Sequence, residues 1–290
     1  MLVTDAVLKQ LDALCALETS HQPFEVAGIR AMIAAAPHMP QVACFDTSFH
    51  RTMPHIAEIY ALPRRYQSQN IRHWGYHGIS YDYISRQVPK HAPKARRVIV
   101  AHLGGGCSMC AILDGKCMDT SMGFSPMEGL PMSTRVGSID PDILLYLMKT
   151  EKLDAPALEA LLYKQSGLLG LSGISGDMKE LEESHAPEAA EAIDFIYHIV
   201  KFIGAFTAVL GGLDAIVFTA GIGENSPLVR AKVCDKLGWL GVKLDQAENT
   251  KNGLRITTAD SAIPVFVIPT NEELMIARHT LALTGAFASL

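Results

Sequence analysis

Apolar positions along this chain change their period near residue 97. Before it they recur at helical spacing: Val7, Leu8, Leu11 and Leu14 share one face over residues 4–16, and residues 26–35 repeat the pattern until Pro37 and Pro40 stop it. A short apolar run at 41–45 predicts a strand ending on Asp46, and residues 79–87 predict a helix behind Tyr76-His77-Gly78. From Arg97 the period shortens to that of strands. Residues 97–102, 107–113 and 116–120 read as a three-stranded meander, turning at Gly104, Gly105 and Gly106 and again at Asp114-Gly115. The pattern then predicts a helix over 140–149, a long apolar helix over 187–210, a strand over 215–219, a helix over 227–237, a strand over 265–268 and a helix over 271–283. Three strands followed by α, β, α, β, α describe an α/β domain on a mixed sheet. The strand at 41–45 has no predicted neighbour, so it either joins that sheet or pairs with a part absent from this chain.

Two of the strands run into glycine. Residues 97–103 lead to the three consecutive glycines, and residues 214–220 lead to Gly221-Ile222-Gly223-Glu224-Asn225, after which Ser226-Pro227 opens a helix. Glycines at a strand exit remove the Cβ atoms that keep an anion away from backbone N–H groups, so such a turn can hold phosphate. One such corner is more often plain turn geometry; a pair in one domain points to a nucleotide held at both ends. Neither corner is a Walker loop, since no Gly-Lys-Ser/Thr follows, and neither has the G-x-G-x-x-G spacing of dinucleotide sites.

Composition narrows the class. With 49% hydrophobic and 19% charged residues, the chain has the make-up of a folded globular protein rather than a disordered one. A net charge of -5, with no basic cluster beyond Lys94-Ala95-Arg96-Arg97, gives nucleic acid no electrostatic purchase. The first residues lack the basic-then-apolar pattern of a leader, and the apolar stretch 202–222 is cut at Gly211-Gly212 and Asp214 into pieces shorter than the roughly 20 residues a bilayer span needs. A cytoplasmic protein without a membrane partner is the expectation. Six cysteines without a secretory signal imply free thiols. Zinc at His102, Cys107, Cys110 and Cys117 is disfavoured, because residues 107 and 110 of one strand point to opposite faces.

Seven segments in order carry a resemblance to a known family: Phe45-Asp46-Thr47-Ser48-Phe49-His50, Gly75-Tyr76-His77-Gly78, Ala101-His102-Leu103-Gly104-Gly105-Gly106, Ser133-Thr134-Arg135-Val136-Gly137, Ser172-Gly173-Ile174-Ser175-Gly176-Asp177, Gly221-Ile222-Gly223-Glu224-Asn225 and Thr270-Asn271-Glu272-Glu273. In these the sequence resembles the acetate kinases. The resemblance implies the actin-like ATPase (ribonuclease H-like) architecture, two α/β domains with mixed sheets. Residues 1–96 would be the remnant of an incomplete N-terminal acyl-kinase domain and residues 97–290 the C-terminal nucleotide-binding domain. It also implies that roughly the first quarter of the usual chain, a three-stranded meander and a following arginine segment, has no counterpart here.

Such enzymes move the γ-phosphoryl group of ATP to the carboxylate of acetate, reversibly, giving acetyl phosphate and ADP. By resemblance, Arg135 and His77 would neutralise charge on the transferring group, Asp46 would orient the acid or the magnesium ion, and Glu272 would reach Mg²⁺. His102, Gly104, Gly105 and Gly106 would hold the phosphates; Asp177, Met178 and Lys179 with Gly221, Ile222, Gly223, Glu224 and Asn225 would hold the adenosine end. His21 would face the phosphoryl group. The implied partners are ATP or ADP and a small carboxylic acid, acetate or propionate, in a homodimer. Gly105 stands where the family usually has Asn, Lys179 for Arg, Tyr76 for Phe, Tyr81 for a second His, and Ser20 for Leu. The competing expectation is a non-catalytic nucleotide-binding remnant.

Overall fold

The computed structural model describes residues 1–15 and 22–285. Its contacts gather into two compact units, residues 46–270 and, separately, residues 1–45 with those from 271 onward. The larger unit is organised by one five-stranded sheet of β1 (Arg97–Leu103), β2 (Cys107–Leu113), β3 (Lys116–Thr120), β4 (Ala215–Thr219) and β5 (Val265–Val267), in the order β3-β2-β1-β4-β5. The meander β1-β2-β3 is antiparallel, whereas β1, β4 and β5 run parallel. The sheet is therefore mixed, as the α/β pattern requires. In the β1/β4 register Val98 faces Ala215 and His102 faces Thr219, so both strands leave the sheet at the same edge. That pairing places the two glycine corners next to each other.

Both faces of the sheet are covered, which is why its strands read as continuous apolar runs rather than alternating ones. Ile99, Ala101 and Leu103 of β1 join Met109 and Ala111 of β2 in a core shared with the helices Pro187–Asp194, Tyr197–Val209 and Pro227–Asp235. Val98 and Val100 face the other way, with Cys110, Ile112 and Cys117, against Tyr81, Ile84 and Val88 of the helix Gly78–His91. The 3₁₀ segment Asp46–Thr52 lies along β3 on this side, its Thr52 hydroxyl donating to Cys117 O over 2.9 Å. Residues 46–91 thus supply the layer over one face, and the boundary expected at residue 96 falls inside the larger unit.

The long helix expected over 187–210 is two helices, interrupted at Phe195 and Ile196. No glycine or proline marks the break. The backbone tightens there to i→i+3 bonds, Phe195 N–H to Ala192 O at 3.3 Å and Ile196 N–H to Ile193 O at 3.1 Å. Three residues per turn stack Ile193, Ile196 and Ile199, all buried, on one side. Pro187–Val209 is long and apolar enough by composition to cross a bilayer, yet its Ala189, Ala192, Ile193, Ile203 and Phe206 are buried in this core.

In the smaller unit the run 41–45 is not a strand of the sheet. It pairs with the first residues of the chain through an antiparallel bridge Leu2 to Val42, with Val3 N–H on Gln41 O at 2.9 Å and Ala43 N–H on Met1 O at 2.9 Å. Leu8, Leu11 and Val26, on the helices Asp5–Leu14 and Gln22–Ala35, bury against one another beside Phe45. The second helix starts four residues earlier than its apolar spacing predicts, since Pro23 is tolerated where the N–H is unsatisfied anyway. The helix Glu272–Thr284 is capped by Asn271, whose side chain accepts from Leu274 N–H at 2.8 Å.

Candidate active site

A Cβ added to Gly104 would stand 3.7 Å from Ala220 Cβ and 4.0 Å from Gly221 N, which measures how closely the two glycine corners adjoin. An open cleft of about 310 Å³ lies over them, a volume within the range of small-ligand sites. Gly104 and Gly105 form one side, Gly221, Ile222 and Asn225 another, and Asp177, Met178 and Lys179 a third. Residues from three distant stretches expected to hold one ligand therefore share one cavity. Gly106, Gly223, Glu224 and His102 are not among its lining residues.

The first corner is held by backbone: Gly104 N–H reaches Gly106 O at 3.1 Å and Ser133 N–H reaches Gly105 O at 3.2 Å. None of its glycines has a left-handed φ, and only Gly106 stands where a Cβ would crowd a neighbour. A Cβ on Gly106 would lie 3.2 Å from His77 Nε2 and 3.8 Å from an Arg135 nitrogen, Nη1, so an imidazole and a guanidinium flank the third glycine.

The second corner is held by side chains, the half-buried Glu224 and the buried Arg230. Ala220 opens the short helix Ala220–Asn225 at φ 66°, a left-handed conformation that costs an L-residue about 1–2 kcal/mol. Glu224 turns inward to hold it, one carboxylate oxygen accepting from Ala220 N–H at 2.8 Å and Thr270 N–H at 3.1 Å. Beneath sits Arg230, fully buried. Nη1 donates to Gly223 O and Glu224 O, each at 2.9 Å; Nε donates to Asn249 Oδ1 at 2.8 Å; Nη2 donates to Asn249 O at 2.8 Å and Asn252 Oδ1 at 2.5 Å. Nothing in the glycine motif announces Arg230. The legible signal was an arginine within the apolar stripe of its helix, beside Val229, Val233 and Cys234.

His77, Arg135 and Asp46 are not among the cleft's lining residues; His77 stands beside Gly106, at the end of the first corner. Asp46 caps the helix Gly78–His91 from a distant stretch of chain, accepting His77 N–H at 2.6 Å and Ile79 N–H at 3.0 Å. Gly78 is obligatory, because a Cβ there would fall 1.9 Å from Asp46 O. His77, at φ 58°, lays its ring on His102 with centroids 4.1 Å apart and planes at 18°. Its Nδ1 lies 2.8 Å from Ser108 Oγ, which also bonds the buried Tyr81 hydroxyl. His102 Nδ1 lies 2.9 Å from Ser80 Oγ, and Ser80 meets Thr270 at 2.8 Å, so the two corners are joined through one hydroxyl relay. Burial, with Arg135 and His50 nearby, lowers the His77 pKa to about 4; burial and His77 lower that of His102 to about 3, Asp46 opposing. Both rings are neutral at pH 7.

Arg135 projects from the loop after Ser133. Its Nη1 donates to Pro126 O at 3.0 Å, its guanidinium lies 6.0 Å from the Tyr163 ring centre, and no ion pair joins it to a carboxylate among the described residues. Asp177 caps the helix Met178–Glu183, accepting Lys179 N–H at 2.8 Å and Glu180 N–H at 3.3 Å, and so turns Lys179 toward the cleft rim. Glu182 and Ser226, which hydrogen-bond each other on the cleft wall, were not expected from sequence. Glu272 begins its helix in the smaller unit. His21 and Ser20 lie outside the described residues.

The sequence pattern described as the Acetokinase family matches residues 1–278. An acetate kinase of Methylocella silvestris is 51% identical over 292 aligned residues, covering 100% of this chain and 72% of its own length. A propionate kinase of Francisella tularensis superposes with a TM-score of 0.92 at 41% identity, over 96% of this chain and 73% of that one. The acetate kinase of Porphyromonas gingivalis gives 0.92 at 36%, over 98% and 74%.

Proposed function

The chain belongs to the acetokinase family, and from that premise we infer that it transfers the γ-phosphoryl group of ATP to the carboxylate of acetate, reversibly, giving acetyl phosphate and ADP. The observation that carries this reading is the meeting of two glycine corners at one cleft, with His77 and Arg135 flanking the third glycine of the first corner. In our reading the triphosphate runs along residues 104–106, and the adenosine end lies toward Asp177, Met178, Lys179 and residues 221–225.

A carboxylate oxygen of the acid attacks the γ-phosphorus as the bond to the β–γ bridging oxygen breaks, and ADP leaves with that electron pair. The transition state is loose and spreads charge over the three equatorial oxygens, so positioning and charge neutralisation are the protein's work. Arg135 supplies a permanent cation. His77 supplies a neutral ring whose Nδ1 faces Ser108 Oγ, itself bonded to the Tyr81 hydroxyl that burial keeps protonated; in our reading Ser108 donates to Nδ1. The remaining proton then sits on Nε2, the nitrogen nearest Gly106. Asp46 positions His77 by fixing its backbone, and His102 backs the ring and keeps it in plane.

Mg²⁺ suits this donor set, since it prefers one or two carboxylates with phosphate oxygens and water. Each Asp46 oxygen accepts one N–H and keeps lone-pair capacity. Glu272 is our candidate to reach the ion, directly or through water, and the ion when bound would neutralise the β- and γ-phosphates; Asp46 would orient the acid or the ion. The proposal also takes the protein as a cytoplasmic homodimer without nucleic-acid or membrane partners. The exposed Ile143, Leu145, Tyr146 and Met148 of the helix Pro141–Thr150 support an interface. The division into an N-terminal acyl-kinase part (1–96) and a nucleotide-binding part (97–290) remains our reading of its origin. In the acid-binding wall Tyr76 donates its hydroxyl to Phe124 O at 3.0 Å, so the extra oxygen relative to Phe is already satisfied and need not exclude acetate.

Hydroxylamine trapping tests the reading. With ATP, Mg²⁺ and either acetate or propionate, the protein should form the acyl hydroxamate, acetate giving the higher kcat/KM. ATP binding by calorimetry without hydroxamate from either acid would assign a nucleotide-binding role instead.

A further inference from the structure

We propose that His50, Cys110 and Cys117 form a buried site for a single soft metal ion, monovalent copper. The three come from different elements: His50 from the 3₁₀ segment Asp46–Thr52, Cys110 from β2 and Cys117 from β3. A shift of register between Ala111 and Ile112 sets Cys110 opposite Thr120 and Ile112 opposite Cys117, so both thiols emerge on one face of the sheet. Their sulfurs are 3.4 Å apart, and His50 Nδ1 lies 3.2 Å from Cys117 Sγ. The three donor atoms all lie within 4.8 Å of one another, and all three residues are buried. Cys107 points to the opposite face, so this is not the zinc set considered from the sequence.

Orientation of the histidine is the strongest observation. His50 Nε2 lies 3.0 Å from Tyr76 O. A carbonyl can only accept, so Nε2 carries a proton, and in the neutral ring Nδ1 then presents its lone pair toward the Cys117 sulfur. Metal-binding histidines are held in the same way, by a carbonyl on the remote ring nitrogen. The ring is also fixed by packing, since a Cβ on Gly75 would fall 2.4 Å from His50 Cγ. Thr52 Oγ1 donates to Cys117 O at 2.9 Å and ties the segment that carries His50 to β3. The donors are thus assembled before any ion arrives.

Donor chemistry selects the ion. Two thiolates and one imidazole form a soft set, which favours copper(I) over magnesium, calcium or manganese. Structural zinc takes four ligands, and no fourth His, Cys, Asp or Glu joins this group among the described residues. On binding, the ion forms bonds to Cys110 Sγ, Cys117 Sγ and His50 Nδ1; the two S–H protons leave to solvent, and copper stays monovalent.

The test is an anaerobic titration of the full chain with copper(I), in competition with a chromogenic copper(I) chelator. Wild type should take up one equivalent, and Cys110→Ser and Cys117→Ser should each lose at least about 100-fold in affinity. Cys107→Ser, on the other face of β2, should bind as wild type does. Should the serine variants fail to fold, X-ray absorption of copper-loaded wild type reads the site directly, with two sulfur neighbours and one nitrogen expected. No uptake by wild type, undiminished binding in both serine variants, or a nitrogen- and oxygen-only shell would overturn the proposal. So would oxidation by peroxide to a Cys110–Cys117 disulfide in protein that takes up no copper.

Discussion

The two glycine corners do the same geometric job by opposite means. The first, at residues 104–106, turns between antiparallel neighbours and is held by backbone bonds; its side-chain support, His77 stacked on His102, stands to one side. The second, at residues 220–225, strains Ala220 into a left-handed conformation and holds it with a half-buried glutamate and a buried arginine. One corner is specified by what its glycines leave out, the other by what distant residues put in. Substitutions should therefore damage catalysis at the first corner and stability at the second.

The largest effect is expected from Arg230→Ala. It strands the buried Gly223 O and Asn249 O and the half-buried Glu224 O, and at about 1–3 kcal/mol for each orphaned acceptor the loss should be at least about 3 kcal/mol by urea denaturation. A loss under about 1 kcal/mol would break the contrast. The supports of the first corner can be titrated instead. The folded pKa of His77 is about 4, below the ordinary 6.5, with Arg135 and His50 facing it; that of His102 is about 3, with His77 and Asp46 facing it. Between these values and 6.5 the unfolded chain binds more protons, so stability is full above about pH 6.5 and falls as pH drops toward 4. His77 alone accounts for about 3 kcal/mol of that fall. Denaturation midpoints at neutral and acid pH check it, and His102→Asn should flatten the profile.

Gly106→Ala sharpens the contrast. The added methyl would stand 3.2 Å from His77 Nε2 and displace it by a fraction of an ångström, so kcat should fall several-fold, less than the roughly 100-fold of a 1 Å misplacement, while the melting temperature barely moves. An equal loss of stability would mean that the glycine serves the fold. The smallest effect is of opposite sign: Ala220→Gly relieves the left-handed strain and should raise stability by about 0.5 kcal/mol in the same urea assay.

The strands, the mixed sheet and the glycine corners were legible because period and turn chemistry are local. Strand adjacency was not. That β4 lies parallel beside β1, bringing residue 104 to residue 220, depends on a crossover no window of sequence contains. The break at Phe195 and Ile196 was hidden because a 3₁₀ turn needs no breaker residue. Residues 41–45 pair with Met1 and Val3, too short a partner to show a period. At the site, motif resemblance named His77, Arg135 and Asp46, yet not that Asp46 acts on the backbone of His77. Arg230 and the pairing of Cys110 with Cys117 belong to tertiary contact, where a charge or a thiol in an apolar stripe is the only local trace.

Diffraction from crystals grown with a non-hydrolysable ATP analogue and Mg²⁺ tests the central claim most directly. The triphosphate should lie along residues 104–106 with its γ end between His77 Nε2 and the Arg135 guanidinium, and the adenosine along residues 177–179 and 221–225. Nucleotide bound away from this cleft, or with its γ-phosphate turned toward residues 221–225, would contradict it.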